Sequence, residues 1–369
     1  MITVRKGRKI PILEEKKEKN RVLWKNTVTH LFHINRIYGR SVAGDAAPAA
    51  LRNFVARQMP GPTRLALIAT TFPLLTLEEC TTPGSFEAVC AATKSEGYAG
   101  LDVSCLHVLL IGKARFARVL AEHGLFFVGK CYSSGGGCPT GHPGALAAAE
   151  EAHPPQGRDV SAHIAVFRAQ VRELAGSPLL RPLLHSLSGQ SGRDYFSDAD
   201  ADAYFAAADA LGAEFGLRIQ HETHRHRLLF SPWAARAAVA RRPALWLLAD
   251  LSHYVCVCET GCGDPDLEEA VAALVGRANH THARVGHEEG PQVPDPSDPR
   301  WGAHVEGHAA WWKAIMRAHI ARGEPLCTVT PEFLPFPYGP VGFLREETAR
   351  ANAFIAEVVK RAWAEVAAE

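Results

Sequence analysis

Four residues able to bind cations and move protons, Glu222, Asp250, His282 and Glu332, stand at the ends of four successive apolar runs, 28, 32 and 50 positions apart. Their settings are Gln220-His221-Glu222-Thr223, Leu248-Ala249-Asp250-Leu251, His280-Thr281-His282-Ala283 and Thr330-Pro331-Glu332-Phe333. Three carboxylates and one imidazole suit one hard or borderline divalent ion, Mn²⁺, Mg²⁺, Co²⁺ or Zn²⁺, with positions left open for substrate oxygens. An ion of that kind beside a carboxylate base is equipped for proton movement next to a carbonyl. Singly, an acid at a strand end also caps the next helix or pairs with an arginine. Four in register are harder to explain so. His280 shares the strand parity of His282, and His282 is preferred because it lies nearer the C-terminal mouth.

Residues this far apart meet only if the chain repeats a unit that returns each strand end to one place. From Arg64 onward, short β-branched and apolar runs alternate with helical patterns, the signature of βα units and a parallel sheet. The runs predict strands over Leu65–Thr71, Gly100–Cys105, Phe126–Tyr132, Pro182–Ser188, Arg218–Thr223, Leu245–Ser252, His280–Val285 and Leu326–Glu332. Eight strands, each followed by a helix, make a (β/α)₈ TIM barrel whose strand C-termini share one face. A doubly wound sheet fits less well, since no G-x-G-x-x-G follows the first strand. The Gly135-Gly136-Gly137 run reads as a βα loop.

The 369 residues exceed the roughly 250 of a barrel, so we expect an extension over 1–62 and the barrel over 63–369. Residues 1–40 hold eleven Lys or Arg against three acids, and six of the eleven lysines. A targeting or nucleic-acid arm would look like this, but Glu14, Glu15 and Glu18 are unusual in a transit peptide and favour a solvated tail. The whole chain carries a net charge of +1, so nucleic acid is not an expected partner. No run of 18 apolar residues appears, and no membrane span is expected. The expected location is cytoplasmic, with organelle targeting by the extension left open. Nine cysteines, an odd number scattered through a large chain, read as free thiols.

Four motifs together resemble the xylose-isomerase-like TIM barrels, in their sugar phosphate isomerase/epimerase branch. They are His221-Glu222-Thr223-His224-Arg225, Ala249-Asp250-Leu251-Ser252-His253-Tyr254, Ala283-Arg284-Val285-Gly286-His287 with Gly290-Pro291-Gln292-Val293, and Thr330-Pro331-Glu332-Phe333. The resemblance runs from about Arg64 to Ala367 and implies one divalent metal ion on Glu222, Asp250, His282 and Glu332. It further implies that Glu222 and Glu332 are the acid–base pair and that His253 contacts substrate. Arg284 or His287 would bind a hydroxyl, carboxylate or phosphate. The implied function is isomerisation or epimerisation of a sugar, sugar phosphate or related keto-polyol through an enediolate. Open alternatives are an endonuclease-IV-like metal hydrolase, a polyol or keto-acid dehydratase, and a binding barrel without catalysis.

Other combinations carry weaker signals. His221-Glu222-x-His224 lacks the helical i, i+4 histidines of a zinc protease. Cys256, Cys258 and Cys262, with His253, have no common zinc spacing and read as loop thiols. His304, His308, Trp311 and Trp312 suggest a helix packed on the barrel or against a second copy of the chain. His185, Ser188 and Gly189 are placed at the end of the fourth strand, where they would line a pocket.

Overall fold

The computed structural model describes residues 62–133 and 159–369. Residues 1–61 of the expected basic extension and the Gly135–Gly137 loop lie outside them. Eight strands pair in parallel and close into a barrel in chain order: β1 (Arg64–Thr70), β2 (Gly100–Ser104), β3 (Phe126–Tyr132), β4 (Leu184–Gln190), β5 (Ile219–Glu222), β6 (Trp246–Ala249), β7 (Ala278–Ala283) and β8 (Leu326–Pro331). The TIM barrel expected from the alternating runs is therefore the fold. Helices return the chain between strands: α1 (Leu77–Thr81), α2 (Ser85–Ser95), α3 (Cys105–Ile111), α4 (Lys113–His123), α5 (Val160–Ala175), α6 (Asp198–Phe215), α7 (Pro232–Arg241), α8 (Ser252–Cys258), α9 (Pro265–Val275), α10 (Gly302–Ala321) and α11 (Arg345–Ala367).

Local chemistry sets these boundaries. Ser197 and Asp200 form a capping box at the start of α6, and Gly216, at φ 58°, ends it in the left-handed conformation that glycine adopts without strain. Ser231 caps α7 and Asp264 caps α9, each followed by a proline whose fixed φ suits a first helical turn. β4 starts two residues later than its apolar pattern suggests, because Leu183 and Leu184 donate backwards to Leu180 and hold the preceding segment in a turn. The strand therefore ends at Gln190.

Alternation along the strands separates two interiors. Outward residues such as Phe127, Leu187 and Leu247 join helix residues such as Phe86, Phe116, Phe205, Trp312 and Val359 in one continuous apolar core. Within the barrel only Ala66, Ile68 and Phe126 make a small apolar cluster. Farther along, inward positions turn polar: Asp102, Lys130, Glu222, His280, His282, Thr328 and Thr330 are all buried. His280 bonds Thr328 and Thr330 across the β7–β8 pair at 2.8 and 3.0 Å. Both imidazole nitrogens are thereby spent within the wall.

Trp311 and Trp312 are buried within this chain, and Trp311 donates to Glu268 of α9 at 2.9 Å. They pack the barrel and offer no face to a second copy. The eight described cysteines are free thiols. Among the described residues, no helix is long and apolar enough to cross a membrane.

Candidate metal centre

Glu222 closes β5, Asp250 follows β6, His282 is the penultimate residue of β7, and Glu332 follows β8. One donor atom from each lies within 4.8 Å of the others, and all four residues are buried. The register that places them together is His282 beside Thr330 and Glu222 beside Leu248.

Each donor is held from behind so that a second atom faces inward. Gln190 Nε2 donates to Glu222 Oε2, leaving Oε1 3.4 Å from His282 Nδ1. Ser252 Oγ donates to Asp250 Oδ1 at 2.5 Å, and Thr223 brackets the Asp250 backbone at 2.8 and 2.9 Å. Asp250 Oδ2 turns inward. Lys130 Nζ donates to Glu332 Oε1 at 3.1 Å, and Glu332 Oε2 lies 2.8 Å from His282 Nδ1. His282 in turn places Nε2 2.7 Å from Asp102 Oδ2. A carboxylate behind an imidazole fixes ring orientation and raises donor strength, as it does behind metal-bound histidines.

Two observations test whether a divalent ion fits. His282 Nδ1 and Glu332 Oε2, although 2.8 Å apart, miss hydrogen-bond geometry and have no hydrogen-bond partner, and both belong to the set of four donor atoms that lie within 4.8 Å of one another. Charge makes the second case. Among the described residues, Asp102, Glu222, Asp250 and Glu332 meet only Lys130 and Arg284 as permanent cations in direct contact. The imbalance of two negative charges with neutral His282 is the charge of one divalent cation. The donor set fits the ion.

The same imbalance governs protonation without a cation. Burial works against charge on every group here, yet the carboxylates Glu332 and Glu222, with the Asp102 hydrogen bond, push His282 well above its ordinary pKa. Burial opposes charge on Glu222 too, but His282 and Lys130 outweigh it and bring the carboxyl down to about 2. Glu332 falls well below the ordinary range, where His282, Lys130 and Arg284 overcome burial. Asp250 goes the other way: burial and its acidic neighbours Glu332 and Glu222 outweigh Arg284 and raise it. Protonated His282 thus supplies positive charge where a cation would sit.

Two of the residues expected to bind substrate border this cluster. Arg284 Nη2 donates to Asp250 Oδ2 and to His253 Nε2, the latter at 3.1 Å, while its Nε and Nη1 have no partner. Tyr338 covers the guanidinium, 4.8 Å from ring centroid to Cζ. His253, in the first turn of α8, is fully buried and held neutral by burial and by the adjacent His224 and Arg284. Since Nε2 accepts from Arg284, the network assigns the proton to Nδ1, which has no partner. His287, by contrast, packs on Trp301 at 5.1 Å and exchanges backbone bonds with Gly290, outside the cluster. Gly286 separates them: a Cβ there would stand 2.5 Å from the Ser252 carbonyl, so glycine lets the segment after β7 lie against α8.

His185 is displaced to the opposite end of the barrel, because β4 begins at Leu184 and its C-terminal residue is Gln190. Cys262 lies 3.5 Å from His308, and no cysteine belongs to a candidate metal group among the described residues. Asp102, Lys130 and Gln190 are the positioning groups that sequence reasoning missed. The available signal was a charged or amide residue at an inward parity of β2, β3 and β4.

No family model matches the chain, and no curated protein matches it. Solved structures do. D-allulose 3-epimerase from Methylomonas sp., in complex with D-allulose, aligns with a TM-score of 0.53 at 15% identity over 82% of this chain and 99% of that one. A form of that epimerase with additional C-terminal residues gives 0.54 at 15% identity, covering 82% and 100%. A xylose isomerase-like TIM barrel protein from Mycobacterium smegmatis, in complex with magnesium, gives 0.49 at 14% identity over 80% and 97%. At such identities the likeness is one of fold. At that level the resemblance expected from the motifs holds.

Proposed function

We propose that the chain is a divalent-metal-dependent isomerase or epimerase of a keto-sugar or related keto-polyol. The observation that carries this reading is the inward convergence of Glu222, Asp250, His282 and Glu332, each held from behind, around an excess of two negative charges. A divalent ion bound by these residues supplies Lewis acidity to a substrate carbonyl and its neighbouring hydroxyl.

The chain's own groups do the rest. Glu222 and Glu332, at the ends of different strands, are the acid–base pair: the ionised one takes the proton from the carbon beside the carbonyl, the C–H electron pair moves to the carbonyl oxygen as an enediolate, and its partner must hold a solvent-derived proton to give in return. Returning the proton from the other carboxyl to the opposite face inverts that carbon; returning it to the neighbouring carbon moves the carbonyl. The unpaired His253 Nδ1–H and the unpaired Nε and Nη1 of Arg284 are donors for substrate oxygens. Tyr338 over Arg284 excludes water from that side.

A three-zinc nuclease would need further donors at the second and third strand ends. Among the described residues the only other candidate group is Asp102, His280 and His282, which shares His282, and His280 is bonded to two threonines.

Metal analysis of purified protein, followed by solvent deuterium exchange with a panel of ketoses, ketose phosphates and inososes, tests the reading. One equivalent of divalent metal and label at the carbon next to a carbonyl are expected. Metal-replete protein that exchanges none of these protons would sink it.

A further inference from the structure

The loop after β5 carries a charge that the metal centre does not use. Arg227 is 0% exposed, its Nε donates to Gln190 Oε1 at 2.8 Å, and its Nη1 and Nη2 have no hydrogen-bond partner. A guanidinium taken out of water with two nitrogens unpaired is costly and persists where another group completes it. The chain is shaped to put it there. His226, not a glycine, adopts a φ of 63°, and Arg227 N donates to His224 O at 3.1 Å while Leu228 N donates to Ser191 O at 2.9 Å. The neighbouring walls are tied as firmly: Gly192 N donates to Ser133 Oγ at 2.7 Å, and Ser191 Oγ meets His221 Nδ1 at 2.6 Å.

A second buried cation lies nearby. Arg193, 4% exposed in the turn after β4, bears on Arg227 closely enough that burial first and Arg193 second lower its pKa to about 10. Tyr132, Glu222 and Tyr338 act in the opposite sense, and the bond from Nε to Gln190 sets the guanidinium beside the end of β4. It stays cationic at neutral pH. Through Gln190, the same amide that holds Glu222, it sits one side chain away from the metal cluster.

We propose that Arg227, with Arg193 beside it, is an oxyanion subsite that takes a carboxylate or phosphate on the substrate whose carbonyl end lies at Glu222 and Glu332. The inference rests on the proposed function for that carbonyl end, and it narrows the substrate class to anionic keto-sugars or keto-acids. A planar guanidinium with both terminal nitrogens free matches two oxygens of either group. A neutral ketose would leave those donors unpaired.

Calorimetric titration of the Mn²⁺-loaded full chain tests this with D-ribulose, D-ribulose 5-phosphate, 5-keto-D-gluconate and inorganic phosphate. At least one anionic ketose is expected to bind about tenfold or more tightly than D-ribulose, the range for a hydrogen-bonded charge. Inorganic phosphate should compete with it. Whichever arm wins, phosphate or carboxylate, names the oxyanion. Arg227→Met should erase the preference with metal content unchanged, and Arg227→Lys, which keeps the charge without the fork, should retain part of it and stands in if the Met variant fails to fold. Equal binding of neutral and anionic ketoses, or a preference that survives Arg227→Met, overturns the subsite. Deuterium exchange on the same ligands separates the two readings. Arg227-dependent anion binding with no exchange leaves the subsite and removes the isomerase, whereas exchange without anion preference does the reverse.

Discussion

At the N-terminal end of the barrel, a cavity of 400 Å³ is lined by Arg181, His185, Arg218, Asn279 and Glu324 among others, and its charges answer one another. Arg218 bonds Asn279 at 2.9 Å and Glu324 at 2.7 Å while lying over the Trp246 ring at 4.3 Å, and Arg181 donates to the carbonyls of Phe215 and Gly216. At the C-terminal end, His282 Nδ1, His253 Nδ1, Glu332 Oε2, two nitrogens of Arg284 and two of Arg227 have no hydrogen-bond partner. The ends differ in how their charged groups are paired: cations and carboxylates that bond each other stabilise a wall, while buried unpaired donors and acceptors leave room for a partner.

The contrast can be broken most forcefully at the carboxylates. Glu222→Gln and Glu332→Gln keep size and one oxygen but remove the base, and each is expected to lower substrate deuterium exchange by about 10²–10⁴-fold with metal retained. Wild-type exchange in both metal-loaded variants would show that the unpaired end is not where protons move.

Acid should next attack the helical layer between the two ends. His308 and His319 on α10 are buried, and burial lowers both to about 4. Their unfolded value, near 6.5, lies above the folded one, so the unfolded chain binds more protons between these values and stability falls as pH drops through that window. The loss is on the order of 2–3 kcal/mol per residue by pH 4.5. Urea midpoints in chelator at pH 7.5 and 4.5 should differ accordingly, and a double variant, His308→Asn with His319→Gln, should flatten the slope.

A smaller effect is expected behind the metal cluster. Asp102→Asn removes the charge that orients His282, and metal affinity should fall about 10–100-fold, read by competition with a chelator. The smallest change is expected at the paired end. Arg218 is 39% exposed on its side chain, so Arg218→Met should cost about 1 kcal/mol or less and leave metal content and exchange untouched. A drop in exchange of more than about tenfold in that variant would erase the distinction between the two ends.

The sequence disclosed the barrel because β and helical periods alternate regularly, and it disclosed Glu222, Asp250 and Glu332 because they terminate apolar runs. Their convergence follows from parallel closure alone. Asp102 and Lys130 escaped notice because they occupy inward positions of largely apolar strands, where a period-two pattern does not tell a polar interior from a solvent face, and Gln190 because it lies beyond Ser188, the expected end of the fourth strand. β4 was placed two residues early since Pro182 and Leu183 read as strand, while their backbone belongs to the preceding turn. The short helix α3 starts directly on the end of β2 and α8 two residues beyond β6, where Cys105 and Leu251 extend the apolar runs and blur the boundary. Arg227 needs the left-handed His226 to face inward, and no residue-type rule anticipates that conformation at a histidine.

Gln190 gives the centre a direction. A guanidinium only donates, so the amide must turn its oxygen to Arg227 and its NH₂ to Glu222, and the order Arg227, Gln190, Glu222 forms a one-way relay of donors. The receiving oxygen of Glu222 is already engaged. Oε1, facing His282, is thus the oxygen of Glu222 turned to the cluster, and the orientation of this carboxylate is written by an amide outside the four residues that converge there.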